Sequence, residues 1–156
     1  MAIRKLKTVP EDMKKKVLNC IRAVILRHDD IIFSFIFGSF VNEDAANRCG
    51  DIDLAVYPSV SDIESENYVF EANLEEEIME ELSANKLFSP PVEVINLKKA
   101  PYHFLASLFR QRYIIIKENE DAVTSLIEET SGRALANNHL RKESIREILE
   151  EDKCRI

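Results

Sequence analysis

The sequence predicts a single α/β domain built around a small mixed β-sheet. Four short runs of β-branched and aromatic residues alternate with segments whose apolar residues recur at helical spacing. The resulting order, α-β-β-α-β-α-β-α-α, is typical of a sheet flanked by helices. At 156 residues with 46% hydrophobic content, the chain has enough apolar material for one core. We expect one domain over residues 1–156, with its core at about 10–117 and a helical C-terminal extension at about 120–156.

The four strands are predicted where turn-forming residues interrupt β-branched and aromatic runs. The first run stops at Gly38, as a buried strand that ends in a tight turn does, and the second lies between Gly50 and Pro58. Two prolines precede the third run, in which Glu93 interrupts apolar residues. The strands are predicted at residues 31–37, 51–57, 92–97 and 113–116.

The helices are predicted where apolar residues recur three or four positions apart. Thr8 and Glu11 form a capping-box pattern ahead of a first helix that ends near Arg27, and Ser61 with Glu64 repeats the pattern ahead of a long acidic helix. The run of glutamates in that helix, which includes residues 75–77, indicates a solvated face. Further helices are predicted at residues 101–110, from about 120 to a break at Ser131-Gly132, and over about 140–149.

The charge and cysteine content exclude several classes of protein. A formal net charge of −7 argues against direct nucleic-acid binding, which depends on neutralising many phosphates with Lys and Arg. No stretch approaches the roughly 20 apolar residues of a membrane span, and the first residues lack the pattern of a signal peptide. The three cysteines show no zinc-site spacing, so neither zinc nor disulfides are expected. We therefore expect a cytoplasmic protein that does not bind membranes.

Two aspartates, Asp51 and Asp53, stand in the second predicted strand, although Asp is depleted in strand interiors. Because side chains alternate across a strand, both project from one face with Cα atoms roughly 6–7 Å apart. Two like charges at about 4 Å repel by roughly 4 kcal/mol at an effective dielectric constant near 20, so the pair is unfavourable without a cation. Oxygen ligands of this kind favour Mg²⁺ or Mn²⁺.

Glu93 is the candidate third carboxylate, because it lies in a strand that is otherwise apolar. Carboxylates on neighbouring strands can hold two metal ions about 3.5–4 Å apart. The alternative interpretation of Glu93 is an exposed glutamate on an edge strand.

Gly38 and Ser39 follow the first predicted strand and form a candidate phosphate cradle. Glycine lets the backbone approach a phosphate, and the amide and the serine hydroxyl can donate hydrogen bonds to it. The turn is predicted to lead into a short helix at about 41–46, whose N-terminal amides would favour an anion. The sequence lacks the glycine-rich loop of P-loop enzymes.

These motifs in this order resemble the DNA polymerase beta nucleotidyltransferase superfamily, and within it the minimal nucleotidyltransferase (MNT) branch. The resemblance covers about 31–117 and implies a palm-like nucleotidyltransferase fold. It also implies that ATP or another NTP is the substrate and that two Mg²⁺ ions are bound. The implied phosphate ligands are Gly38 and Ser39, and the implied catalytic metal ligands are Asp51, Asp53 and Glu93.

The sequence departs from the pattern of the branch at three places. Residues 40–50 form a spacer one residue longer than is common. Asn42 stands where many relatives have arginine, so Arg48 is the candidate substitute as a phosphate ligand. Glu93 replaces the commoner aspartate, as it also does in antibiotic-modifying members of the superfamily.

The resemblance implies transfer of AMP from ATP to a hydroxyl group. Stand-alone MNT proteins resemble antitoxins that pair with a HEPN-domain toxin and adenylylate a tyrosine on it, so we expect a HEPN-type partner. Two alternatives remain open at this point. One is a non-catalytic antitoxin that masks its partner, and the other is a nucleotidyltransferase for a small molecule such as an aminoglycoside.

Overall fold

The computed structural model describes residues 7–8, 11–41, 48–59 and 68–133, with the backbone alone at 7–8 and 48–49. Its helices are α1 (Glu11–Leu26), α2 (Val69–Ala84), α3 (Tyr102–Leu108) and α4, which covers residues 120–133. Its strands are β1 (Lys7–Thr8), β2 (Ile31–Phe37), β3 (Arg48–Cys49), β4 (Ile52–Pro58), β5 (Val92–Asn96) and β6 (Ile114–Lys117). None of the helices in these ranges is long and apolar enough to cross a membrane.

Four of the strands form one mixed sheet in the spatial order β5-β4-β2-β6. β2 pairs antiparallel with both β4 and β6, whereas β4 pairs parallel with β5. A parallel pair needs a long crossover, and α2 lies in the connection between β4 and β5. The two short strands β1 and β3 pair with each other in a separate two-stranded sheet.

Both faces of the four-stranded sheet are covered, because its strands are apolar on both sides. One core cluster contains Ile52, Leu54 and Val56 of β4 together with residues of α1 and α2. The other contains Ala55 of β4 with three phenylalanines of β2 and residues of α3 and α4. Asp53 belongs to the same face of β4 as Ala55, since side chains two residues apart share a face.

The predicted α/β class and small mixed sheet are confirmed, and both ends of each of the four predicted strands lie within one residue of their predicted positions. The acidic helix begins at Val69 rather than at the Ser61-Glu64 pattern, which lies outside the described residues. The predicted break at Ser131-Gly132 is wrong, because α4 continues to at least Arg133. The predicted helices at 41–46 and 140–149 fall mostly or wholly outside the described residues.

Replacement of a core residue of α1 tests this packing. Ile21 is fully buried between the sheet and α2, so Ile21→Ala should lower the free energy of unfolding by about 2–5 kcal/mol. Leu26→Ala is the matched control, because Leu26 lies on the same helix with 54% of its surface exposed. Urea unfolding followed by circular dichroism should show a change within about 0.5 kcal/mol for the control. Equal losses in the two variants would contradict the assigned burial.

Candidate active site

Asp53 lies on β4, which has β2 on one side and β5 on the other in the sheet. It is in register with Phe37 at the end of β2 and with Glu93 on β5. Neighbouring strands are about 4.8 Å apart, so the Asp53 and Glu93 backbones are direct neighbours. Asp51 immediately precedes β4 and shares the face of Asp53. The structure therefore brings the three carboxylates predicted from the sequence to one end of the sheet.

The carboxylates differ in their exposure to solvent. Asp51 and Asp53 are half-buried, whereas Glu93 is exposed on the edge strand β5. Burial, followed by the negative charges of Glu93 and Asp51, raises the pKa of Asp53 to about 6. Each of these causes disfavours an ionised Asp53, and a bound cation would oppose the two electrostatic ones.

Gly38 lies against the carboxylate of Asp53. Its φ angle is +79°, a left-handed conformation that disfavours residues with a Cβ. A Cβ added to Gly38 would also overlap Oδ2 of Asp53. Glycine is required here both by the backbone conformation and by the close approach of the carboxylate.

Ser39 follows in a single turn of 3₁₀ helix, Gly38–Phe40, that begins where β2 ends. The turn is closed by a hydrogen bond from the Val41 amide to the Gly38 carbonyl, at 3.1 Å. Phe40 is buried in the core, whereas Ser39 is exposed at the end of the sheet where the three carboxylates lie. Gly38 and Ser39 are thus presented at the same end of the sheet as Asp53.

Arg48 is placed by its backbone, through pairing of β3 with Thr8 on β1. Its side chain and all of Asn42 lie outside the described residues. The assignment of Arg48 as a phosphate ligand therefore stays a prediction.

The donors at this end of the sheet suit a hard divalent cation, because they are carboxylate oxygens on neighbouring strands. The pKa of Asp53 is raised by burial and then by the negative charges of Glu93 and Asp51, and a cation would relieve that repulsion. Within the described ranges, however, no three His, Cys, Asp or Glu side chains are arranged so that they could hold a metal ion. The three carboxylates therefore fit a metal ion by their chemistry and by the strand register. Their side chains are not arranged around a common position that a metal ion could occupy.

A groove beside Glu93 was not anticipated from the sequence. It is bordered by α2, by β5 and by the segment that leads into α3. Glu71 lies in it and is buried, and Glu75 accepts a hydrogen bond from the Val94 amide at 2.8 Å. The sequence indicated a solvated face for the glutamates of α2, but Glu71 and Glu75 are engaged in contacts within the fold. No local pattern in the sequence indicates this groove, because its hydrogen bonds join residues that are distant in the chain.

The polymerase beta nucleotidyltransferase family model matches residues 19–121, which is more than half of the chain and spans all of the four-stranded sheet. The chain belongs to this nucleotidyltransferase family. No curated protein matches the sequence.

Several solved structures have the same fold. One is the tri-AMPylated HEPN toxin of Shewanella oneidensis in complex with MNT antitoxin, with 14% identity, a TM-score of 0.57, and coverage of 89% of this chain and 98% of that one. Another is a toxin-antitoxin complex with AMP-PNP, with 16% identity, a TM-score of 0.63, and coverage of 85% and 98%. A third is the MntA-HepT toxin-antitoxin, with 14% identity, a TM-score of 0.57, and coverage of 90% and 99%. These likenesses support the nucleotidyltransferase fold.

Substitution of Gly38 tests the close approach to Asp53. Gly38→Ala should lower the free energy of unfolding by at least about 1–2 kcal/mol, because the positive φ is unfavourable and the new methyl group displaces the Asp53 carboxylate. Gly132→Ala is the matched control, since Gly132 is helical and an added Cβ there meets no described atom within 4 Å. The control should raise stability by about 0.5–1 kcal/mol in urea unfolding. A Gly38→Ala variant with an unchanged free energy of unfolding would show that the Asp53 carboxylate does not lie against Gly38.

Removal of the Asp53 charge should change how stability depends on pH. The folded chain holds a proton on Asp53 up to about pH 6, above the ordinary pKa of 3.8. At Asp53 the folded state therefore binds more protons than the unfolded state between these values, so the contribution of this residue to stability falls as the pH rises from about 4 to 6. In metal-free buffer, Asp53→Asn should be more stable than the unmodified protein above pH 6, with the difference vanishing near pH 4.

Urea unfolding between pH 4 and 8 measures this difference. Asp29→Asn makes the same change in net charge at an exposed turn and should not reproduce the gain. An Asp53→Asn profile parallel to that of the unmodified protein would show that the Asp53 charge is not destabilising.

Proposed function

We propose that this chain transfers AMP from ATP to a hydroxyl acceptor, with Asp51, Asp53 and Glu93 as the metal-binding catalytic carboxylates. The observation that carries the proposal is the register of Asp53 with Glu93 next to the Gly38 turn. This places hard oxygen ligands beside a backbone that can approach a phosphate closely. Membership of the nucleotidyltransferase family supports the reaction type.

Gly38 and Ser39 would hold the β- and γ-phosphates, and Arg48 is the proposed additional phosphate ligand. The left-handed turn at Gly38 lies against the Asp53 carboxylate, so a phosphate held by its backbone would lie beside the proposed metal ligands. Two Mg²⁺ ions, when bound, would neutralise the triphosphate and favour ionisation of the acceptor hydroxyl. The acceptor oxygen forms a bond to the α-phosphorus while the bond to the leaving pyrophosphate breaks, and the hydroxyl proton is released.

The proposed acceptor is a tyrosine of a HEPN-type toxin, for which this chain would act as the antitoxin. Support comes from the solved complex in which a HEPN toxin is tri-AMPylated and accompanied by MNT antitoxin. The complex with AMP-PNP supports an adenine nucleotide as the donor. We also propose that the pair acts in the cytoplasm, in keeping with the sequence.

A second candidate function is masking of the partner without catalysis. One observation favours it: in the described part of the chain, no three potential ligands are arranged to hold a metal ion. Masking would require complex formation alone, without transfer of AMP.

A label-transfer assay separates the two functions. The full chain is incubated with α-³²P-labelled ATP, Mg²⁺ and the product of the neighbouring gene, which we expect to be a HEPN-type toxin, and labelled protein is counted after electrophoresis. We expect label on the partner and a loss of at least about 100-fold in the Asp51→Asn/Asp53→Asn double variant, as for removal of a group that stabilises transition-state charge. Asp29→Asn/Asp30→Asn makes the same charge change at two exposed positions and should leave transfer unchanged. A tight complex without label would contradict catalysis and support masking.

A further inference from the structure

The groove beside Glu93 has a volume of about 490 Å³ and follows the edge strand β5. Glu93 lies at one end of the β5 segment that borders it, and Asn96 lies at the other. Three residues of a strand span about 10 Å, so an extended segment of about three residues can lie along this border. Glu71 contributes its carboxylate at the Asn96 end.

Glu71 leaves one carboxylate oxygen unsatisfied. The residue is 4% exposed, and its Oε1 accepts a hydrogen bond from Nδ2 of Asn96 at 3.1 Å and an ion pair from Nζ of Lys99 at 3.0 Å. Its Oε2 is shielded from solvent and has no hydrogen-bond partner among the described residues. A buried acceptor without a partner is destabilising, so a donor that enters the groove would be bound favourably.

The charges and aromatic side chains of the groove indicate which donor this is. Three glutamates line it against one lysine, Lys99, so an added positive charge is favoured. Tyr68 and Phe104 present aromatic rings, and Nζ of Lys99 already lies 4.8 Å from the Tyr68 ring. A guanidinium group combines a positive charge, several donors and a plane that stacks on aromatic rings. Arginine therefore fits the groove better than a neutral donor does.

We propose that this groove binds the acceptor segment of the partner protein, and that Glu71 recognises an arginine about three residues from the modified hydroxyl. The proposal rests on the function proposed above, in which the acceptor hydroxyl lies near the metal-binding carboxylates, of which Glu93 is the one that borders the groove. The distance of about three residues between the arginine and the modified residue follows from the roughly 10 Å between the Glu93 and Asn96 positions on β5. Phe104 links the two regions, because its ring contacts Phe37, the partner of Asp53 in the sheet.

Peptide binding to the full chain tests the arginine preference. Fluorescein-labelled eleven-residue peptides carry one central tyrosine and an arginine three residues before or after it in a glycine-serine background. Their matched controls carry citrulline, which has nearly the same shape without the charge. Fluorescence anisotropy should show at least about tenfold tighter binding of the arginine peptide in one of the two orientations. Equal binding of arginine and citrulline peptides in both orientations, or no binding of either, would overturn the proposal.

Substitutions on α2 test whether Glu71 is responsible for the preference for arginine over citrulline. Glu71→Gln should bind the arginine and citrulline peptides equally, whereas Glu76→Gln, an exposed change on the same helix, should keep the preference. A preference that survives in a folded Glu71→Gln variant would contradict the role of Glu71. Should that variant not fold, the comparison of arginine with citrulline on the unmodified chain decides.

The proposed function fails in a different way. Arginine preference without transfer of label to the HEPN-type partner would support the groove and contradict catalysis. Label on that partner without an arginine preference would contradict the groove alone.

Discussion

The close approach between the Asp53 carboxylate and the Gly38 turn is the constraint on which this site depends. It exists because β2 ends in register with the position on β4 that carries Asp53, and because Gly38 adopts a positive φ at that point. The apolar residues on both sides of these strands fix the register, since a slip by one residue would turn each side chain to the opposite face. The packing of the sheet and the geometry of the site therefore share one cause.

The edge strand β5 has two roles that usually conflict. It carries Glu93 into register with Asp53, and it leaves backbone groups that could pair with another strand. Glu75 satisfies the outward amide of Val94, which limits such pairing while the Glu93 side chain stays accessible. Glu71, one turn earlier on α2, binds the side chain of Asn96 at the other end of the strand. The acidic helix α2 thus both protects the edge strand β5 and forms one side of the groove.

The sheet and the three carboxylates could be predicted from sequence because both follow local periodicity. Asp51 and Asp53 share a face through strand alternation, and Glu93 interrupts a short apolar run after two prolines, a pattern that is typical of a strand. Gly132 misled the prediction, because a lone glycine does not end a helix whose apolar residues, such as Leu126, pack on the sheet. The role of Glu71 depends on Asn96 and Lys99, more than twenty residues away, which no local pattern indicates.

Acidic groups at the two ends of β5 link the proposed site to the groove. Asp53 is disfavoured as an anion by burial and by its acidic neighbours, and Glu71 keeps a buried oxygen without a described donor. Both ends are therefore poised to gain free energy from positive charge, which a metal would supply at one end and a basic side chain at the other. At about 10 Å a charge at one end still acts on the other end. The charges of two Mg²⁺ ions and of the triphosphate they would neutralise nearly cancel, so filling the proposed site would leave the attraction of the groove for arginine almost unchanged.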